Sequence, residues 1–219
     1  MSTTIQSPPS TDPRTAAEWI EFYYAQGWSD GLPLVPPTEE SVAAMLAAGG
    51  LTAKEILGTI DERNAILPAE KVAINAVMAG CLPTYFPVVV AAVRALCHPD
   101  FHYHNPATST GGSGLALIVN GPIGPRLGIN ATNNVFGPGV RANATIGRAL
   151  RLVMMNVLNT RPGYLDKGHL ARRRSTLSVL QRMKKTIPGR RSMCHVAFVQ
   201  KTARLRSTLQ THLWVCITN

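Results

Sequence analysis

The segment Asn120–Leu158, NGPIGPRLGINATNNVFGPGVRANATIGRALRLVMMNVL, constrains this chain more than any other. It begins at the end of an apolar run, Leu115–Val119 (LALIV), that reads as a buried strand. It crosses a loop dense in glycine, proline and asparagine. It closes in a helical pattern, over about Asn143–Asn159, in which Ile146, Leu150, Val153, Met154 and Val157 share one stripe while Arg148 and Arg151 fall elsewhere. Gly and Asn admit positive φ and leave N–H groups turned toward a ligand. Feeding such a loop into a helix start, with Arg141 and Arg148 at its mouth, describes an anion site. The same composition also makes a plain connection folded over a domain edge.

Upstream, residues 1–13 read as a polar, Pro-rich leader without the apolar core of a signal peptide. Thr15–Gly27 predicts a helix with Trp19, Phe22 and Tyr23 on one face. Trp28–Thr38 (WSDGLPLVPPT) carries too much proline and glycine for regular structure. A short helix from Thr38 to Ala48 follows, and then a weakly β-like stretch, Glu55–Leu67. Pro68 opens a buried helix to Gly80, and Pro83–Thr84 starts another to about Cys97. The apolar run Val72–Cys97 is too interrupted for a membrane span and reads as two core helices. Mixed helices and few strands predict an α+β, or irregular α/β, domain over residues 14–170, its helices packed on a small sheet. With neither a signal-peptide pattern nor a membrane span read from the sequence, a cytoplasmic chain is expected.

The net charge of +10 points first to nucleic acid or a membrane surface. It is unevenly spread. Residues 1–168 hold 11 Lys+Arg and all 12 Asp+Glu, whereas residues 169–219 hold 11 Lys+Arg and no acid. The first three-quarters of the chain therefore gives no electrostatic reason to bind nucleic acid. A nucleic-acid arm in the tail would predict steeply salt-dependent binding, but its basic residues lack aromatic interleaving or a helical stripe.

Four cysteines, Cys81, Cys97, Cys194 and Cys216, show neither CxxC spacing nor the density of a disulfide scaffold. Cys81 stands between two predicted helices. At the start of the second its thiolate would be stabilised by free N–H groups; at the end of the first the helix dipole disfavours it. A small buried Cys in an apolar hairpin is the bland alternative. Asp30 and Glu70 flank loops and are candidate proton-handling groups. CHPDFHYHN offers His98, His102 and His104, and the last two could face one ion from an extended segment. No further ligand pair supports them, so a solvated, aromatic-rich loop outweighs a metal site. Nothing indicates a particular cofactor.

The loss of every acid after residue 168 is an abrupt change of texture, and a shifted reading frame accounts for it. Codons built from the third base of each codon and the first two of the next must give Glu at Met183–Lys184 and Val at Met193–Cys194. With permitted choices elsewhere, residues 171–194 can spell TPAKYSFCIAENEENDPWEPLHV, and farther on the frame can spell PEDSTVTVYA. That is ordinary soluble sequence with two strand-like runs. On this reading residues 171–219 are a non-native basic tail whose native strands are lost.

GWSDGLPLVPPT, AEKVAINAVMAGC, LIVNGPI, LGIN, NVFGPG and RANATIGRALRL, in this order over about Gly27–Leu170, resemble a family of uncharacterised bacterial proteins. These are found beside, or fused to, the UGSC-motif (seleno)cysteine proteins. The family continues with sequence close to that of the shifted frame, and it guided the free codon choices. The resemblance implies a thiol- or selenol-linked redox enzyme, or a component acting with a UGSC-motif (seleno)protein partner, impaired in this chain. It implies roles for Cys81, for Glu70, Lys71 and Asn75 in the block before it, and for Asn120, Asn130, Arg141, Asn143 and Arg148. The family's second cysteine has no counterpart here, since its place falls at Ser178–Val179, and the UGSC motif is absent. The rival expectation is a non-catalytic binding module for a small anionic metabolite.

Overall fold

In the computed structural model, Thr15 opens α1 (Ala16–Ala25) with a reciprocal cap. Its hydroxyl accepts from the Glu18 N–H at 3.3 Å, and the Glu18 carboxylate accepts from the Thr15 N–H at 2.6 Å. The structure describes residues 15–108, 115–135 and 137–166, apart from the side chains of Pro106 and Asn120, and the backbone alone of 178–181, 197–203 and 210–218. The leader 1–13 and the side chains of the basic tail lie outside the described residues. Trp19, Phe22, Tyr23 and Trp28 pack ring against ring, with centroids 5.4–6.0 Å apart.

As its prolines require, the chain from Ser29 to Thr38 forms no helix or strand. Thr38 caps α2 (Glu39–Gly49), accepting from the Ser41 N–H at 3.2 Å, and Gly50 ends it in the left-handed region. The β-like stretch resolves into an antiparallel hairpin, β1 (Ile56–Ile60) and β2 (Ala65–Pro68), joined by a 3-10 turn over Asp61–Arg63. Gly58 lies so close to Cys97 that a Cβ placed there would meet its Sγ at 2.7 Å.

Pro68 is the N-cap of α3 (Ala69–Met78), one position before the first turn expected for it. The helix is sheathed on most sides, and Val72, Ala73, Asn75, Ala76 and Met78 are fully buried. A 3-10 turn at Pro83–Tyr85 leads into α4 (Phe86–Leu96), whose apolar residues are almost all buried. Then come α5 (His104–Thr108), β3 (Leu115–Asn120), α6 (Ile123–Arg126) and α7 (Arg141–Asn156), the last beginning two residues earlier than its periodicity predicts.

The fold is α+β. Its larger sheet runs β4–β3–β6–β5, with β4 (Ser178–Gln181), β5 (Ala197–Ala203) and β6 (Gln210–Thr218). β3 is central and parallel to both neighbours, and β5 closes one edge antiparallel to β6. The backbone runs β4 and β6 flank β3, while the reading of residues 171–219 as a non-native tail rests on side chains that lie outside the described residues. Ladder hydrogen bonds are made by backbone, so any extended apolar run, including LWVCI, can satisfy both edges of a buried strand. The helices α4 and α7 touch each other and lie against β6 and β4, while α3 packs on α7. Leu117 and Val119 of β3 point into the resulting core.

Candidate functional site

Three polar residues of α7, Arg141, Thr145 and Arg148, stand at i, i+4 and i+7 and therefore on one face of the helix. Each is engaged by a segment that sequence reading had singled out. Arg148 makes a two-pronged pair with Asp30, Nε to Oδ2 at 3.0 Å and Nη2 to Oδ1 at 2.8 Å. The same Nη2 also donates to the carbonyls of Leu32 at 3.1 Å and Pro33 at 2.9 Å. Both side chains are largely enclosed, 15% exposed for Arg148 and 8% for Asp30. Asp30 further accepts from the Leu32 N–H at 3.3 Å, shaping the SDGLP turn. Arg148 is thus bound to its own loop, and Asp30 is bound to Arg148; neither faces a ligand.

Seven residues back along α7, Arg141 donates from Nε and Nη2 to the carbonyl of Gly80, at 3.2 and 2.9 Å. That carbonyl follows α3, which ends in a paired hydrogen-bond motif: Gly80 N–H to Val77 O at 2.8 Å and Cys81 N–H to Ala76 O at 3.0 Å, with Gly80 at φ +84°. Cys81 therefore terminates the first helix rather than opening the second. It is 6% exposed.

Burial pushes the Cys81 thiol up to about 11, against the opposing pull of the Thr145 hydroxyl and the Arg141 charge. The hydroxyl's pull is blunted because its proton goes to the Arg141 carbonyl at 2.9 Å. Cys97 is likewise pushed up to about 11 by burial. At neutral pH both are thiols, which is the chemistry of packing residues rather than nucleophiles.

Glu70 does not join this group. It is an exposed residue in the first turn of α3, and Cys81 follows the other end of that helix. Eleven residues at 1.5 Å each separate them by roughly 16 Å. A catalytic trio of Cys81, Glu70 and Asp30 is therefore not assembled, because the helix keeps one acid at its far end and an arginine holds the other. Lys71 and Asn75 serve α3 itself, the Asn75 amide donating to the Lys71 carbonyl at 2.8 Å. Fully buried Asn75 also accepts from Asn156 of α7 at 2.8 Å, and the same Asn156 nitrogen reaches the Trp28 carbonyl at 3.0 Å. Asn156 and Thr145 were not singled out from the sequence. Thr145 was legible from its spacing, four residues after Arg141 and three before Arg148.

The glycine loop is clipped shut by its asparagines. Asn143, buried in the first turn of α7, accepts from the Asn130 N–H at 2.8 Å and donates to the Asn130 carbonyl at 3.1 Å. Asn130 in turn accepts from the Thr132 N–H at 3.0 Å and donates to the Asn133 carbonyl at 2.9 Å. Both amides shape the loop. The side chain of Asn120 lies outside the described residues. Val140, the N-cap of α7, supplies no side-chain hydrogen bond to the first turn, and Gly139 before it holds φ +116°.

Of the histidines, His98 accepts from the Asp100 N–H at 3.3 Å, capping a 3-10 turn. His102 adopts the left-handed region at φ 48°, and His104 begins α5. The extended segment that would aim His102 and His104 at one ion is therefore a tight turn, and no metal-binding group of three residues forms among the described residues. Nor is any described helix long and apolar enough to cross a membrane. Comparisons of the chain with protein-family models, with characterised proteins and with solved structures return no match.

Proposed function

We propose that this chain is a binding module for a small anionic metabolite held at the start of α7, with Cys81 a packing residue. The observation that carries this reading is the uncapped first turn of a 16-residue helix, entered from Gly139 and flanked by the guanidinium of Arg141. A helix start without a side-chain cap, the helix dipole and a neighbouring cation all favour negative charge there. Arg148 is excluded from the wall because Asp30 already neutralises it.

The test is calorimetric titration with inorganic phosphate and with succinate at fixed ionic strength. Saturable binding is expected, weakened about tenfold in Arg141→Met, one charge-assisted contact being worth roughly that factor. Val140→Asp should abolish the Arg141-dependent part of the binding while raising helix stability by about 1 kcal/mol, since its carboxylate would occupy the same N–H groups. Binding that survives Val140→Asp unchanged would refute the reading.

A second reading, a thiol-linked redox component of a UGSC-type system, draws on the family resemblance. The feature that bears on it is the setting of Cys81: burial holds the thiol up at about 11, while the Thr145 hydroxyl and the Arg141 charge beside it pull the other way. The same resemblance extends to the tail. In the gene, the shifted frame around codons 168–172 is expected to run open without stops, and early stops there would refute the frame change.

A further inference from the structure

Arg63, in the turn between β1 and β2, reaches across to the segment after α7. Its Nη1 donates to the Leu158 carbonyl at 2.9 Å and to the Thr160 hydroxyl at 2.7 Å. Its guanidinium carbon lies 4.9 Å from the centre of the Tyr103 ring, and the Tyr103 hydroxyl is 2.8 Å from the Thr160 hydroxyl. Thr160 is fully buried. The other edge of the guanidinium is unused. Nε and Nη2 are both closed to solvent and have no hydrogen-bond partner.

That edge is the one with two parallel N–H bonds, the fork that matches two oxygens of a carboxylate or a phosphate. Buried polar groups are normally satisfied, and a buried cation is normally paired. Yet the acids of the described chain are employed elsewhere or lie exposed. Asp30 pairs with Arg148, Glu55 with Arg94 and Asp166 with Arg151. Asp61 and Glu62 share the turn with Arg63 but are exposed and form no ion pair with it. The last 51 residues contain no acid at all. His104, next to Tyr103 in the chain, also keeps a buried Nδ1 without a partner.

We propose that the Nε–Nη2 edge of Arg63 is a second, separate site for a small oxyanion, a carboxylate or a phosphate group. Tyr103 and Thr160 hold the guanidinium while the ligand supplies its missing negative charge. Because both nitrogens are covered, the ligand gains access through local opening of the hairpin tip that carries Arg63, and it binds more slowly than an open surface site would.

The experiment replaces chloride by acetate or by inorganic phosphate at fixed ionic strength and follows the melting temperature of the full chain. The wild type is expected to show a saturable rise of about 5 °C with at least one of the two anions. Acetate alone would assign a carboxylate, phosphate alone a phosphate group, and both the shared fork. Arg63→Lys, which keeps the charge and loses the fork, should weaken the response at least tenfold; Arg63→Met should abolish it if it folds. Arg141→Met should retain it. A wild-type melting temperature indifferent to the anion overturns the inference, as does an Arg63→Lys response equal to wild type. A response lost in Arg141→Met and kept in Arg63→Lys also overturns it, while leaving the α7 site standing.

Discussion

Arg148→Met is expected to destabilise the chain by about 3–5 kcal/mol, the cost typical of removing one partner from an enclosed ion pair. The loss should appear as a drop of about 10 °C in melting temperature for a domain of this size. The substitution leaves the Asp30 carboxylate 8% exposed without its cation. It also strips a donor from the Leu32 and Pro33 carbonyls. The double variant Asp30→Asn with Arg148→Met should recover part of the loss, because the stranded charge is gone. If Arg148 were instead a ligand-binding residue, its removal would leave the melting temperature almost unchanged and abolish anion binding. The two outcomes separate a structural clamp from a site wall.

At pH 7 the Cys81 thiol should be alkylated about a hundredfold more slowly than an ordinary cysteine. The thiolate fraction falls tenfold for each unit of pKa, and burial takes this thiol from 9.0 to about 11. Iodoacetamide kinetics on the folded chain, with mass-spectrometric assignment of the modified residue, measures this. The rate should rise tenfold per pH unit and level off near pH 11. A rate equal to or above that of free cysteine at pH 7 would instead restore the redox reading. The same shift couples to stability. Because the folded-state pKa lies above the unfolded one, the folded chain holds its proton longer. The stabilisation is therefore complete below pH 9 and disappears as pH rises from about 9 to 11, a loss on the order of 3 kcal/mol for Cys81.

Local signals carried the helices. Thr15 and Thr38 at two starts, and Gly27 and Gly80 at two stops, marked boundaries that the backbone follows. These are decided within one turn of chain, so sequence shows them. What Asp30 and Arg148 do to one another was hidden, because 118 residues separate them. Each was legible as a charged group near a loop, and charge alone does not reveal that its partner is internal. Cys81 turned on one residue: Gly80 adopts positive φ, so the helix closes before the cysteine rather than beginning at it. The tail is the opposite case: its missing acids mark a change of texture in the sequence, while its backbone alone is described beside β3.

The half-buried Asn75–Asn156 hydrogen bond has a consequence for how α3 and α7 align. The other buried residues of the two helices are mainly alanine, valine, isoleucine, leucine and methionine, whose non-directional contacts do little by themselves to fix one alignment along the axis. A slide of 5.4 Å would strand two amides among those apolar side chains. The pair therefore acts as a register pin, admitting one alignment of the two helices and penalising its neighbours. The position of α7 along α3 decides where Arg141 meets Gly80 and where Arg148 meets Asp30. One half-buried hydrogen bond between the helices thus sets the geometry of loops at both ends of the pair.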